Sequence, residues 1–473
     1  MLFYKKEIRM SVEINVFAIS FYRKFDKNMR KKIEILNQEL IENHFSDTML
    51  FAQLTDAQRE LGLLQGERPT CPFLRPHFFS RSQYNKIANA AEVLANAFEN
   101  LTTIALKDDN VLSVLDLSEK EERFARIEPR YKGVCHSSRL DTFVCGQEFK
   151  FLEYNGENPA GIGDQMQLEK VLDKIPEVRK FLAENKHLRT KPHIALLDSL
   201  ISAYRDYGGK KLKPNIAIVD WKDVATSSEF EILREFFESE GFATRIFDPH
   251  ELEYNGKNLH VGDFTIDIFY KRVIIHEFLE KFDENHPLVR AYTDGNVLMA
   301  NSFRSKIPHK KTSLAILSDE KFAHLFTDEQ LKTIDSHIPW TRVLREGKTT
   351  YNSQTVDLLE LLRTKRENFI LKPNDDYGGK GIFFGWENSQ ADWETAINSA
   401  LSESFIVQER VAIEKTMFPV YDETVTMQNL LVDFDPFLFR GKVEGGLVRL
   451  SASSLVNVTQ GGGQTALIVL EDF

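Results

Sequence analysis

A lysine beside a glycine-rich loop is the strongest chemical signal in the sequence, in the segment FILKPNDDYGGKGIFF at 369–384. The apolar run FILKP predicts a strand that carries Lys372, and a second apolar run follows the loop. The loop contains Gly378, Gly379, Lys380 and Gly381. Because ammonium groups neutralise phosphates and glycine backbone can close over them, the pattern is typical of polyphosphate binding under a flap. The pattern G-x-x-x-x-G-K-[ST] does not occur, and a plain glycine turn in a hairpin fits the segment equally well.

Two carboxylates form the second signal, in the segment SRLDTFVCGQEFKFLEYN at 138–155. Its composition predicts a β-hairpin with a three-residue loop at 146–148. Side chains alternate along strands, so this register puts two pairs on one face. The pairs are Asp141 opposite Glu153, and Arg139 opposite Asn155.

Facing carboxylates repel each other unless a positive charge lies between them. Oxygen ligands of this kind suit Mg²⁺ together with substrate phosphates, and Arg139 could stabilise a phosphoryl group in transfer. The alternative is a surface hairpin in which Arg139 pairs with an acid. The loop GENPAGIGD at 156–164, directly after the acids, favours a site.

A third segment, SFIVQERV at 404–411, reads as an apolar strand that ends in polar residues. In a nucleotide cleft, the residues from Gln408 through Glu409 to Val411 could offer backbone groups to adenine and a carboxylate to the ribose. Taken alone, the segment is a buried strand that runs to the surface.

The elements that must position these residues change along the chain. Residues 1–130 are predicted to be mainly helical, with apolar stripes over Met29–Asn43 and Tyr84–Leu106. Residues 213–275 alternate strand, helix and strand, as in a Rossmann-like α/β unit, but lack G-x-G-x-x-G. Residues 300–473 alternate strands with helices.

Composition narrows the class of protein. The 60 Lys and Arg residues against 71 Asp and Glu give a net charge of −11, which argues against nonspecific nucleic-acid binding. The three cysteines form no C-x-x-C pair, so a disulfide scaffold or a zinc site is not expected. No apolar run approaches the length of a membrane span. We therefore expect a cytoplasmic protein that acts without nucleic acid or membrane.

The order of these motifs resembles the ATP-grasp superfamily. Its ligases show a strand L-K-P, a glycine flap, a Q-E-x-V-like hinge and an acidic metal site that ends in E-x-N. Here FILKP, GGKG and QERV follow that order, but the E-x-N of LEYN (152–155) precedes them by more than 200 residues. This order is similar to that of circularly permuted ATP-grasp proteins, including glutathionylspermidine synthetase-like enzymes. The closing segment 444–465 also resembles those families.

The resemblance implies an α/β (α+β multidomain) chain with a permuted ATP-grasp fold. The expected divisions are a mainly helical N-terminal region at 1–130, the metal-site hairpin and its loop at 131–175, a Rossmann-like pre-ATP-grasp domain at 210–300, and the ATP-binding grasp body at 301–473. The implied activity is that of an ATP- and Mg²⁺-dependent carboxylate–amine ligase that forms an amide or peptide bond through an acylphosphate. Its partners would be small-molecule or peptide carboxylates and amines.

The resemblance also implies roles for individual residues. One or two Mg²⁺ ions would be held by Asp141, Glu153 and Asn155, with Arg139 as the catalytic arginine. ATP would be held by Lys311, Lys372, Gly378, Gly379, Lys380, Gly381, Gln408, Glu409 and Val411. Lys310 competes with Lys311 for its position, and Arg449 and Asn457 are site candidates without an assigned role.

Other functions are less well supported by the sequence. A nucleotide-binding pseudoenzyme or scaffold is the alternative, and its mark would be a broken metal triad or a missing flap lysine. HEFLE at 276–280 does not satisfy H-E-x-x-H, and G-x-S-x-G does not occur, which disfavours zinc and serine hydrolases. A helical interaction protein carried by residues 1–130 is a further alternative.

Overall fold

The structure of the protein is a computed structural model that describes residues 27–376, 378–453, 456, 458 and 461–471. It is a mixed α/β fold, in which several sheets are packed with helices. In these ranges, none of the helices combines the length and apolar character required for a membrane span.

The N-terminal part is built mainly from helices. A helix over residues 27–44 and the long helix Arg81–Ala105 confirm the two predicted helices. The Ser80 hydroxyl starts the long helix by accepting a hydrogen bond from the Gln83 N–H. The other helices here are Thr48–Glu60, Asp109–Leu112 and Glu119–Ala125, and the strands are Leu64–Gln65, Arg68–Pro69 and His77–Ser80.

The predicted hairpin belongs to a large antiparallel sheet. Strands Ser137–Cys145 and Glu148–Asn155 pair with each other, and the first of them also pairs with the distant strand Thr424–Phe439. The sheet is completed by Lys415–Asp422, Lys442–Ser451 and Gly463–Thr465. This pairing joins residues 137–155 and residues 415–465 in one sheet.

The predicted hairpin register is confirmed at the polar pairs, whereas the predicted loop is wrong. Asp141 is opposite Glu153, and Arg139 is opposite Asn155. The register then shifts after Asp141, and Cys145 pairs with Glu148. The bulge absorbs one residue, so the turn has two residues rather than three.

The Rossmann-like unit is a four-stranded parallel sheet, which confirms the strand–helix–strand prediction. Its order is Leu298–Ala300, Ile268–Lys271, Ile216–Val219 and Thr244–Phe247. The helices that pack against it are Pro192–Asp206, Ser227–Ser239, Ile275–Lys281 and Pro287–Asp294. Helices Asp164–Leu172 and Pro176–Glu184 bury their apolar residues in the core shared with the N-terminal helices. A small sheet of Glu253–Tyr254, Leu259–Val261 and Phe264–Thr265 lies beside it.

A second four-stranded sheet carries the lysine and glycine motif. Its order is Thr341–Val343, Phe405–Glu409, Phe369–Pro373 and Phe383–Phe384, so the two predicted strands around the glycine loop are neighbours. The hairpin Lys348–Tyr351 and Gln354–Asp357 lies next to this sheet. Helices Lys306–His309, Thr312–Ser318, Asp328–His337, Leu358–Thr364 and Gln390–Ala400 belong to the same part of the chain.

The strand Leu467–Leu470 joins segments from distant parts of the sequence in one sheet. Leu467–Leu470 is buried and lies between His77–Ser80, with which it is parallel, and His187–Leu188. Buried apolar residues from 29–182 and 307–470 form one continuous core around these elements.

Candidate functional site

A cleft of about 1230 Å³ lies between the antiparallel sheet, the Rossmann-like unit and the second sheet. Most of the predicted site residues line it: Arg139, Asp141, Glu153, Asn155, Lys372, Gly378, Gly379, Gln408, Glu409 and Val411. Lys311 lies behind Glu153, with 3.2 Å between its Nζ and Oε1. Lys380 and Gly381 belong to the same loop as the lining glycines but are not part of the cleft wall. Asn457 lies outside the described residues.

Lys372 points from the second sheet toward the hairpin. Its Nζ donates to Gln408 Oε1 at 2.8 Å and to the Leu152 carbonyl at 3.5 Å. Burial lowers the pKa of this lysine to about 8. A bound anion such as a phosphate would stabilise the protonated form of Lys372, because its hydrogen-bond acceptors in the structure are uncharged.

Asp141 holds two arginines on the floor of the cleft. Arg139 Nε donates to its Oδ1 at 3.0 Å, and Arg449 Nη2 donates to its Oδ2 at 2.8 Å. Asn155 Nδ2 also donates to Oδ1 at 2.7 Å. Burial alone would raise the pKa of Asp141, but the two arginines hold it below its usual range. The carboxylate stays ionised and fixes the arginines.

Two further acids complete this charge cluster. Arg449 Nη2 lies 2.7 Å from Asp433 Oδ2 and 2.7 Å from Asp435 Oδ2. Burial raises the pKa of Asp433 to about 6 and that of Asp435 well above its usual range. Three carboxyl groups therefore face two arginines, and Asp435 is the most buried of the three.

Glu153 and Asn155 present oxygens that could hold a metal ion. Lys311 Nζ approaches Glu153 Oε1, so Oε2 is the oxygen that stays available among the described contacts. Asp141 takes the amide N–H of Asn155, which leaves Asn155 Oδ1 to act as an acceptor. Carboxylate and amide oxygens are the ligands that Mg²⁺ prefers, so this donor set fits that ion.

The segment 408–411 forms the wall beside Lys372. Gln408 is buried, and its side chain bridges Lys372 and Thr341, where Nε2 donates to Oγ1 at 3.1 Å. Gln408 therefore contacts Lys372 from the adjacent strand and also lines the cleft. Glu409 and Val411 line the cleft, and the Glu409 N–H donates to the Trp340 carbonyl at 2.8 Å.

The far half of the cleft belongs to the Rossmann-like unit. Arg272 is buried, donates to the Pro159 carbonyl at 2.7 Å and lies 3.3 Å from Glu229. Burial raises the pKa of Asp164 to about 7 and that of Asp220 to about 6. This half presents Arg272 and several acidic groups to the cleft.

A buried ion network joins the hairpin to the root of the glycine loop. Lys306 Nζ lies 2.8 Å from Glu157 Oε1 and 2.5 Å from Asp375 Oδ1. Glu157, His309 and Asp375 have metal-compatible spacing, but the Lys306 ammonium already supplies the cation between the two acids. We therefore assign this network a structural role in fixing the loop root.

Sequence reasoning missed Asp433 and Asp435, and it did not foresee the contacts of Arg449 and Gln408. A signal for the two acids exists in the strand segment LVDFDPF at 431–437. Asp433 and Asp435 are two apart in an apolar run, so they share one face of a strand. Their arginine partner could not be read from the sequence.

Comparison with known proteins gives a fold relationship. No protein-family model matches the chain, and no curated protein matches it. A glutathione synthetase-like effector from Globodera pallida, in its apo form, matches with a TM-score of 0.60 at 11% identity. The match covers 92% of this chain and 97% of that one, so the two proteins share a fold over nearly their whole lengths.

Two further solved structures match less well. A putative gamma-glutamylcysteine synthetase from Methylobacillus flagellatus gives a TM-score of 0.41 at 10% identity, covering 80% of this chain and 85% of that chain. D-alanyl-alanine synthetase A from Vibrio cholerae gives 0.25 at 9% identity, covering 47% and 68%. Scores this low carry no argument about the fold.

Proposed function

We propose that the protein is an ATP- and Mg²⁺-dependent carboxylate–amine ligase that forms an amide or peptide bond through an acylphosphate. One observation carries the proposal. One cleft contains Lys372, on the strand before the glycine loop, together with Arg139 and the E-x-N segment of the hairpin. More than 200 residues separate the lysine from the hairpin along the chain. The alternative is a nucleotide-binding scaffold without ligase activity.

The fold relationship supports this proposal. The neighbour that shares the fold is described as a glutathione synthetase-like effector, and a synthetase is the class of enzyme that we propose here. The pairing of Ser137–Cys145 with Thr424–Phe439 also supports a permuted ATP-grasp arrangement, because it brings the early hairpin that carries E-x-N into one sheet with late strands. We propose the glutathionylspermidine synthetase-like permuted form on this basis.

The nucleotide would lie along the second sheet. Lys372 would contact its phosphates, and the loop with Gly378 and Gly379 would cover them. Glu409 and Val411 would face the ribose and the base. We also place Lys311, Lys380 and Gly381 around the phosphates, because they lie behind Glu153 or within the same loop.

The metal site would be formed by Glu153 and Asn155, with Asp141 on the same strand face. When bound, Mg²⁺ would neutralise phosphate charge. Asp141 already accepts from two arginines and an amide, so its main contribution would be to orient Asn155 and hold Arg139 toward the cleft.

The reaction follows from positioned charges. A substrate carboxylate oxygen attacks the γ-phosphorus, the bond to ADP breaks, and an acylphosphate forms. An amine nitrogen then attacks the acyl carbon, inorganic phosphate leaves, and the nitrogen loses a proton. Arg139 and Lys372 would stabilise the charge on the transferring group, and the glycine loop would exclude water.

Hydroxylamine tests this chemistry without knowledge of the natural amine. It captures acylphosphates as hydroxamates, so incubation with Mg-ATP and a panel of amino acids and small peptides should yield ADP and a hydroxamate in equal amounts. Lys372→Met should lose both products, whereas Lys332→Met, an exposed lysine on Asp328–His337, should keep them. Saturable ATP binding by the wild type with no hydroxamate from any acid would favour the scaffold.

A further inference from the structure

We propose that Tyr351 is a positioning residue that aims the Glu409 carboxylate at the ribose hydroxyls of the bound nucleotide. The inference rests on the proposed function, because it assumes that a nucleotide occupies the cleft beside Glu409. It adds a residue outside the cleft wall that controls how the sugar is recognised.

The hydrogen bond between the two side chains is well formed. The Tyr351 hydroxyl donates to Glu409 Oε1 at 2.9 Å. Tyr351 ends the strand Lys348–Tyr351, and its side chain is buried behind the second sheet. It is not part of the cleft lining, so it can reach a ligand only through Glu409.

The aromatic ring of Tyr351 is held on two sides. Its centroid lies 5.2 Å from that of Trp340 and 5.6 Å from that of Phe369, both in edge-to-face packing. Trp340 is itself fixed, since its Nε1 donates to the Thr350 carbonyl at 2.8 Å and its carbonyl accepts from the Glu409 N–H. The direction of the hydroxyl is therefore set before any ligand binds.

Glu409 is left with one oxygen for a ligand. An ionised carboxylate only accepts hydrogen bonds, and a ribose offers two hydroxyl donors. Among the contacts of the described residues, Oε1 is used by Tyr351, which directs Oε2 to the cleft that Glu409 lines. Burial, with a further contribution from Glu409, raises the pKa of Tyr351 to about 12, so the hydroxyl keeps its proton at ordinary assay pH.

The test compares nucleotides that differ only in the sugar. Binding of ATP, 2′-deoxyATP and 3′-deoxyATP is measured by calorimetry with the wild type and Tyr351→Phe, which keeps the packed ring. We expect Tyr351→Phe to weaken the binding of ATP about tenfold, as expected for the loss of a charge-assisted hydrogen bond. For the deoxynucleotide that lacks the hydroxyl bound by Glu409, the same substitution should weaken binding by less than about twofold.

Tyr254→Phe is the matched control. The Tyr254 hydroxyl also donates to a carboxylate, Asp294 Oδ2 at 2.7 Å, but in the Rossmann-like unit and away from the cleft wall. Its removal should leave all three affinities unchanged. In a Glu409→Gln background, Tyr351→Phe should add no further loss, because the group that it orients is gone.

Three results separate the possible failures. No ATP binding by the folded wild type would overturn the proposed function itself. ATP binding that Tyr351→Phe leaves unchanged, or weakens equally for all three nucleotides, would overturn the positioning role alone. Tyr351→His, which keeps a ring donor, should restore part of the preference for ATP, and no restoration would count against the hydrogen bond. If Tyr351→Phe unfolds, Tyr351→His and Glu409→Gln still decide the question by the same sugar comparison.

Discussion

Replacing Lys372 by methionine should stabilise the ligand-free protein while it weakens ATP binding. The lysine is buried, and its pKa is lowered from 10.5 to about 8. A tenfold change in proton affinity is worth about 1.4 kcal/mol, so the charged side chain costs the folded state about 3 kcal/mol. In the variant Gln408 Oε1 loses its hydrogen-bond donor, which destabilises the folded state by about 1 kcal/mol. We therefore expect a net gain of about 2 kcal/mol at pH 7.

The sign of the pH dependence follows from the direction of this shift. Between pH 8 and 10.5 the unfolded chain holds a proton on Lys372 that the folded chain has released. The contribution of this group to stability therefore rises with pH across that window, and below it the cost is fully present. In Lys372→Met this slope disappears, so the stability advantage of the variant should shrink as the pH approaches 10.5.

Binding changes in the opposite direction. The ammonium is the group that would contact phosphate, so the variant should bind ATP at least about tenfold more weakly at pH 7. In the wild type, ATP affinity should fall above about pH 8 as Lys372 loses its proton. Urea unfolding and ATP calorimetry over pH 6.5 to 10, with Lys332→Met as the exposed control, would measure both effects. A less stable variant would refute the desolvation argument, and unchanged ATP affinity would refute the phosphate contact.

The remaining predictions concern the hairpin, the flap and the buried network. Asp141→Asn should raise the Mg²⁺ concentration needed for half-maximal ADP formation at least about tenfold, because it releases Arg139 and the Asn155 amide; an unchanged Mg²⁺ titration with an intact circular-dichroism spectrum would contradict the site. Gly381→Ala should lower turnover by restraining the glycine loop, since Gly381 has φ +66° and a Cβ there would lie 2.8 Å from Pro373 Cγ. Stopped-flow ATP binding as fast as in the wild type would show that the added methyl group does not restrain the loop. Glu157→Gln should lower the free energy of unfolding by about 3 kcal/mol, because it leaves buried Lys306 with one fewer charged partner; a melting temperature equal to that of the wild type would show that the network is dispensable.

The sequence by itself determined the local parts of the site. Each of three features is determined by residues within about twenty positions. They are the strand that carries Lys372, the glycine loop after it, and the pairing of Asp141 with Glu153. Alternation along a strand decides which side chains share a face, so these relations needed no tertiary information. The Rossmann-like alternation of strand and helix was likewise visible in the apolar pattern.

The tertiary structure decided what each local motif faces. The hairpin turn has two residues because a bulge forms after Asp141, where the strand also pairs with Thr424–Phe439. Asp141 contacts two arginines because Arg449, 308 positions later, lies on Lys442–Ser451, on the far side of Thr424–Phe439 in the same sheet. Gln408 contacts Lys372 because the two strands lie side by side. Such contacts depend on which distant strands pair and on how burial shifts proton affinity, and neither is encoded in the spacing of a single segment.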